Sequence, residues 1–186
     1  MEIDYMKFVE DENYVYVDPA KAPFELKNPN ADEGVQPFFS DNSTISVVEH
    51  EGNKVFLVTT KPGKQWSYFR QDVRYKPGAT YKVEYDVKLV GAGDITDGSD
   101  ESIATDIIVN ARYSVVSGST DHVLGDVRRI SVSDGWQHRT VEFTVPADSP
   151  DRGSDQFAIY ANPIGENGAN YYVDNIVITE YLPEEE

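Results

Sequence analysis

Hydrophobic and polar residues alternate strictly over residues 81–89, where Tyr, Val, Tyr, Val and Leu occupy every second position. Residues 140–145 repeat the pattern with Val141, Phe143 and Val145. Successive side chains of a β-strand point to opposite faces, so a period of two predicts strands that bury one face and expose the other. No stretch of the chain keeps the 3.6-residue period of an amphipathic helix.

Seven further segments have the length and residue types of strands, and turn-forming residues separate them. They are residues 44–49, 54–60, 65–73, 106–116, 127–132, 156–161 and 171–180. About nine strands without intervening helices predict an all-β fold, either an antiparallel sandwich or a barrel. We expect one domain over residues 1–183, with 184–186 as a tail or linker and the acidic segment 91–102 as a mobile surface loop.

The chain carries 16 Lys and Arg against 33 Asp and Glu, which gives a net charge of −17. Such a field repels phosphate backbones and anionic lipid surfaces, so we expect no nucleic-acid or membrane partner. The absence of cysteine excludes disulfides, thiolate metal sites and cysteine nucleophiles. The first residues lack the pattern of a signal peptide. Two origins stay open, a cytosolic protein or a domain cut from a longer secreted chain, and we expect the second.

Strand parity identifies polar and aromatic side chains that face away from the core. In the segment 65–73, Phe69 and Val73 share one face, which we expect to be the core face. Residues 66, 68 and 70 then point to the opposite face, away from the core. With the strands at 106–116 and 156–161, the outward set is Trp66, Tyr68, Arg70, Asn110, Arg112, Tyr160 and Asn162. Aromatic rings stack on the apolar face of a pyranose, and amide and guanidinium groups bond its hydroxyls, so this set favours a sugar-binding groove. The alternatives are aromatics packed under a loop and arginines paired with carboxylates, and Tyr113 fits either core or groove.

Four short motifs follow one another in a fixed order. They are Phe24-Glu25, then Trp66 ahead of Lys76-Pro77-Gly78-Ala79-Thr80-Tyr81, then Gly135-Trp136-Gln137, and finally Tyr171-Tyr172-Val173-Asp174-Asn175-Ile176-Val177-Ile178. Over residues 22–181 this series resembles the jelly-roll carbohydrate-binding modules of families 4, 9, 16 and 22, and most of all the xylan-binding modules of family 22. The resemblance implies a two-sheet antiparallel β-sandwich, a jelly roll. It also implies a monomeric, non-catalytic module that binds plant cell-wall β-glycans, with xylan preferred, and targets an attached glycoside hydrolase.

The same resemblance implies one structural calcium ion, with Glu25 and Asp174 as ligands. A hard cation prefers several oxygen ligands, and one ion would join the two ends of the domain. Counted along the last strand, Asp174 shares the parity of Ile176 and Ile178, which predicts a buried or edge position. The alternative is an Asp held by a salt bridge or hydrogen bond. For Trp136 the resemblance implies a structural role at the start of a strand, in the core or at its rim.

Motifs of catalysis are absent from the sequence. The three histidines have no metal-ligand spacing, and no nucleophile elbow, phosphate loop or dinucleotide fingerprint occurs. With 33 acids some pair will always be close, so acid pairs alone do not indicate a glycosidase. Two rival functions stay open, an adhesion or structural β-sandwich that uses the same aromatics for protein contacts, and a small jelly-roll glycosidase or lyase.

Overall fold

The computed structural model describes residues 24–64, 67–112, 122–123, 128–149, 155–162 and 168–181. Over these residues the chain forms eleven β-strands, one 3-10 turn at Val132–Asp134, and no α-helix. No helix in this part of the chain is long and apolar enough to cross a membrane. The prediction of an all-β fold is therefore confirmed.

The strands form two antiparallel sheets packed face to face. The strands are β1 (Phe39–Asp41), β2 (Ser43–His50), β3 (Asn53–Thr60), β4 (Ser67–Val73), β5 (Thr80–Gly91), β6 (Ala104–Arg112), β7 (His122–Val123), β8 (Arg128–Ser131), β9 (Gln137–Thr144), β10 (Asp155–Asn162) and β11 (Asn170–Tyr181). Sheet I has the order β1-β4-β10-β6-β7, with β8 also paired to β6, and sheet II has the order β2-β3-β11-β5-β9. Neighbours far apart in sequence, such as β3 and β11, are typical of a jelly roll, so this prediction is also confirmed.

Aromatic rings fill the space between the two sheets. Phe38 stacks on Phe69 of sheet I with ring centroids 4.2 Å apart, and Phe56 of sheet II lies 5.0 Å from both. The alternating residues of β5, namely Tyr81, Val83, Tyr85, Val87 and Leu89, are all fully buried. Burial of one large apolar side chain contributes about 2–3 kcal/mol. The period of two seen in the sequence is therefore the inner face of the sandwich.

A buried arginine also joins the two sheets. Arg139 of β9 is 3% exposed and occupies a core-facing position of sheet II. Its guanidinium donates hydrogen bonds to the carbonyl oxygens of Ile107, at 3.1 Å, and Arg128, at 3.4 Å, in sheet I. Backbone carbonyls thus supply the partners that a buried cation requires.

A β-bulge in β11 changes the orientation expected for Asp174. The pairing of β11 with β5 shifts register between Asp174 and Val177, and Asn175 has a φ of 50°. Asp174 is paired with Asp86, whose neighbours Tyr85 and Val87 are in the core, so Asp174 lies on the outer face of sheet II. The parity shared with Ile176 and Ile178 was the wrong guide, because the extra residue of a bulge reverses the alternation. The predicted burial is nevertheless present, since Asp174 is 4% exposed.

Two short strands, β1 and β7, were not predicted, and their two or three residues are too few to show alternation. The segment 106–116 forms a strand as far as Arg112. Tyr113, which fits core or groove, lies outside the described residues.

The acidic segment 91–102 follows β5 and is tied to β11. The side-chain amide of Asn170 donates to the carbonyl oxygens of Gly93, at 2.9 Å, and Ile95, at 2.7 Å. Gly98 donates its backbone N–H to Val90 at 2.8 Å. These bonds hold the first half of the segment against sheet II.

We predict that Gly91→Ala destabilises the fold strongly. Gly91 has a φ of 153°, and an added Cβ would overlap the carbonyl oxygen of Ile95. Gly52→Ala is the matched control, because its φ of 84° is also strained for alanine but no atom lies within 4 Å of the added Cβ. Urea unfolding should give a loss of about 1 kcal/mol for the control and roughly 2 kcal/mol more for Gly91→Ala. Equal losses would contradict the close approach of this loop.

Candidate carbohydrate-binding face

The outer face of sheet I brings together three of the residues predicted from parity. Tyr68 on β4 is paired with Tyr160 on β10, and their ring centroids are 5.1 Å apart. Arg70 is paired with Ala158 and lies one position further along the same face of β4. The inward residues between them, Phe69 and Ile159, are fully buried. Parity thus assigned the correct faces to these two strands.

Arg70 is held by an ion pair, a hydrogen bond and two aromatic rings. Its Nη2 lies 2.5 Å from Asp41 Oδ2, and its Nη1 donates to Gln156 Oε1 at 3.2 Å. The guanidinium carbon lies 4.7 Å from the ring centroid of Phe39 and 5.7 Å from that of Tyr68. The charge of Arg70 is therefore compensated by one carboxylate, and its plane is held for contact with a ligand. The ion pair with a carboxylate, which was the alternative role for this arginine, is therefore present. It holds Arg70 on the outer face of sheet I beside Tyr68.

Tyr160 differs from its expected role as an exposed aromatic platform. It faces outward by register, but its side chain is only 2% exposed. Tyr68, in contrast, is partly exposed. A ring that stacks on a sugar must present one flat side to solvent, so Tyr68 can make that contact, and the buried Tyr160 packs beside it.

The other predicted residues of this face are described only in part. Trp66 lies outside the described residues. For Asn110, Arg112 and Asn162 the backbone alone is described, and the register pairs Asn110 with Ala158, Arg112 with Gln156 and Asn162 with Asp106. Their strands are thus neighbours of β4 or β10, as the parity argument requires.

Sequence reasoning missed four residues of the outer face of sheet I, which are Phe39, Asp41, Asp72 and Gln156. Gln156 links two of them, since its Nε2 donates to Asp72 Oδ1 at 3.0 Å while its Oε1 accepts from Arg70. Phe39 opens β1 directly after Phe38, which is 1% exposed, so the adjacent aromatic pair was a usable signal for one ring in the core and one outside it.

The two predicted calcium ligands lie in different cavities. Glu25 is exposed and lines a cavity of about 250 Å³ with Phe39, Gln71 and Asp72, at the edge of sheet I. Asp174 lines a cavity of about 240 Å³ on sheet II. Among the described residues no group of three or more His, Cys, Asp or Glu is placed to hold a metal ion. Glu25 and Asp174 thus line different cavities, and calcium binding stays a prediction of the resemblance.

Asp174 is nevertheless an unusual carboxylate. Its Oδ2 accepts a hydrogen bond from Asn53 Nδ2 at 2.8 Å, while its Oδ1 is buried and has no partner. Burial raises the pKa of Asp174, and the negative charges of Asp86 and Asp32 raise it further. Hydrogen bonds from the Asn175 backbone and the Asn53 side chain lower the pKa but do not offset this rise. The ionised form is thus held in the folded protein at a free-energy cost.

Residues 25–162 match the family model CBM_4_9, described as "Carbohydrate binding domain". The chain belongs to this family. No curated protein matches the sequence. As a member of a carbohydrate-binding family, the chain has in the outer face of sheet I a set of side chains suited to its ligand class.

The carbohydrate-binding domain also resembles solved structures. A xylan-binding domain from family 22 has a TM-score of 0.62 and 14% identity over 85% of this chain and 95% of its own. A family 16 carbohydrate-binding module has a TM-score of 0.54 and 22% identity over 82% and 96%. The family 22 and GH10 modules of Clostridium thermocellum endo-1,4-β-D-xylanase 10B, complexed with xylohexaose, have a TM-score of 0.57 and 13% identity over 78% of this chain and 26% of theirs. At these identities the likeness shows the fold.

We predict that Asp174→Asn stabilises the domain at neutral pH in the presence of a chelator. An Asp with a raised folded pKa is protonated in both states at low pH, and folding stability falls as the pH rises through the unfolded and then the folded pKa. Removing the charge should therefore raise the unfolding free energy by about 1 kcal/mol near pH 7 and change little below about pH 3.

Urea unfolding at the two pH values measures this effect, and Asp94→Asn, an exposed carboxylate, is the control. A wild type that gains stability from added calcium, with the gain lost in Asp174→Asn, would instead assign Asp174 to an ion.

Proposed function

We propose that this chain is a non-catalytic module that binds neutral β-linked plant cell-wall polysaccharide, with xylan preferred, on the outer face of sheet I. The observation that carries the proposal is the partly exposed ring of Tyr68 beside a rigidly held Arg70. A flat ring offers the stacking surface for a pyranose, and the neighbouring polar groups offer donors and acceptors for its hydroxyls.

The polar groups of this face suit a neutral ligand. Asp41 compensates Arg70, and Asp72 accepts from Gln156, so neither the charge of Arg70 nor these two acids favours an anionic ligand. A net charge of −17 adds a general repulsion of uronate-rich chains. Unsubstituted xylan avoids both costs, since its hydroxyls can both donate to Asp72 and accept from Gln156.

A binding module raises the local concentration of an attached enzyme on its substrate. The proposal therefore includes a secreted parent protein with a glycoside hydrolase domain and a monomeric module. A solved structure with this fold joins a family 22 module to GH10 modules in one xylanase, which supports that arrangement. In this arrangement the attached domain hydrolyses the polysaccharide, and this chain holds that domain on its substrate.

We predict that removing an aromatic platform weakens xylan binding. Open sugar sites are shallow, so native affinity for xylohexaose should lie between micromolar and millimolar, about −8 to −4 kcal/mol. Tyr68→Ala should cost about 1–3 kcal/mol, and Trp66→Ala, the platform predicted from parity, at least as much. Isothermal titration with xylohexaose and cellohexaose measures the losses and the backbone preference.

Tyr181→Ala is the matched control, because Tyr181 is a 52% exposed tyrosine at the end of β11 in sheet II. Each variant is checked for folding by its unfolding midpoint. Full xylohexaose affinity in folded Tyr68→Ala and Trp66→Ala proteins would overturn this binding face. Tight binding to a protein partner, with no sugar bound, would favour the adhesion function.

A further inference from the structure

The cavity at the edge of sheet I lies beside the proposed binding face. Its volume is about 250 Å³, many times the roughly 10–15 Å³ that a single ordered water needs, which leaves room for a sugar ring. Phe39 lines the cavity and is paired with Arg70, so its side chain lies on the same outer face as Arg70. Asp72 also lines the cavity and follows Arg70 by two positions on β4. The cavity is therefore continuous with the surface that carries Tyr68.

Two aromatic rings of this face contact one guanidinium group. The guanidinium carbon of Arg70 lies 4.7 Å from the ring centroid of Phe39 and 5.7 Å from that of Tyr68. Phe39 and Tyr68 are diagonal neighbours on the antiparallel strands β1 and β4, an arrangement that separates side chains by about 7–8 Å. Both side chains are partly exposed. Two flat rings at this separation can contact two different sugar residues of one chain.

The inner wall of the cavity is fixed by the side chain of Gln71. Its Oε1 accepts from the backbone N–H of Lys27 at 2.9 Å, and its Nε2 donates to the carbonyl oxygen of Lys27 at 2.9 Å. Gln71 is 3% exposed, so both bonds are shielded from water. A wall that is already ordered adds little ordering cost to binding.

Exposed polar groups at the mouth of the cavity suit the hydroxyls of a neutral sugar. Lys27 can donate and Asp72 can accept, and both are exposed. Asp72 Oδ1 accepts from Gln156 Nε2 at 3.0 Å, which leaves other acceptor positions of the carboxylate for a ligand. The cavity is lined by one lysine and two carboxylates, Asp72 and Glu25, so its charge does not favour an anion.

On the other side of Tyr68 the outer face of sheet I is much less accessible. Three outward positions of β10 and β6 are buried there, since Tyr160 is 2% exposed, Ala158 4% and Ile108 6%. Side chains with so little exposed surface offer a sugar little contact. The accessible path from Tyr68 therefore leads past Arg70 to the edge of the sheet.

We propose that the edge cavity is a second sugar subsite, which binds one neutral sugar ring against Phe39 while another residue of the same chain stacks on Tyr68. The proposal rests on the proposed function, because it extends the same face and takes the same ligand class. The recognised unit is then a run of several sugar residues. The polysaccharide lies diagonally from β4 to the edge strand β1, rather than across β10 and β6.

The test is isothermal titration of the wild type and Phe39 variants with xylobiose and xylohexaose. Phe39→Leu keeps an apolar side chain against Arg70 but removes the flat ring, whereas Phe39→Tyr keeps the ring. Phe39→Leu should weaken xylohexaose binding roughly tenfold, and binding of xylobiose, which stacks on Tyr68, by less than about twofold. Phe39→Tyr should bind both ligands as the wild type does. If cellohexaose is the tighter ligand, cellobiose and cellohexaose replace the xylose pair.

Tyr181→Leu is the matched control, because it replaces a 52% exposed aromatic ring of sheet II by the same residue. Full xylohexaose affinity in a folded Phe39→Leu protein, with Tyr68-dependent binding intact, would overturn the subsite and leave the module function standing. Equal losses for both ligands would show that Phe39 acts only through Arg70, and would overturn the subsite too. No binding of any oligosaccharide by the wild type would overturn both proposals.

Calcium chloride provides a further arm of the test, because Glu25 lines the same cavity. Xylohexaose affinity in the wild type should be the same with and without calcium chloride. Displacement of xylohexaose by calcium chloride in the wild type and not in Glu25→Gln would assign the cavity to a cation and overturn the sugar subsite.

Discussion

The packing of aromatic and β-branched side chains between two sheets is the interaction on which the rest of this molecule depends. The chain has no cysteine, and its described part contains no α-helix, so neither disulfides nor helical layers share that task. Phe38, Phe56 and Phe69 bring the sheets together, and the buried guanidinium of Arg139 adds hydrogen bonds from one sheet to the other. Because every second residue is committed to this core, the alternate residues are free to vary, and both outer faces become available for binding.

The inner face of the sandwich could be predicted from the sequence because burial imposes a pattern that is visible one strand at a time. The alternation of β5 and the outward turn of Tyr68 and Arg70 follow from this local rule. Three features depend on distant contacts and could not follow from it. The exposure of Tyr160 is set by what covers it, the orientation of Asp174 by a bulge at Asn175, and the salt bridge of Arg70 by Asp41 on a strand of three residues.

Electrostatics gives the two outer faces different characters in a strongly acidic chain. On sheet I the charge of Arg70 is compensated by Asp41, so the part of the face beside Tyr68 is polar without a strong local field. Compensated groups keep their hydrogen-bonding capacity, which suits hydroxyl recognition, and lose their attraction for ions. The same chain buries Lys76 against Glu180 at 2.6 Å, and Tyr81 donates to the other oxygen of that carboxylate at 2.8 Å. Desolvation by burial, with the neighbouring Glu180 charge, raises the pKa of Tyr81 and keeps this donor protonated.

On sheet II one carboxylate, that of Asp174, is buried with an oxygen that has no hydrogen-bond partner. Asn53 and Asn175 are both used as donors to acids around the cavity, so the folded chain has already supplied amide donors there, and Asp174 Oδ1 is still without one. An asparagine at position 174 would keep the bond from Asn53 with no buried charge. The acid at position 174 is therefore maintained at a cost to the stability of the fold, in contrast to the compensated pair of Arg70 and Asp41 on sheet I.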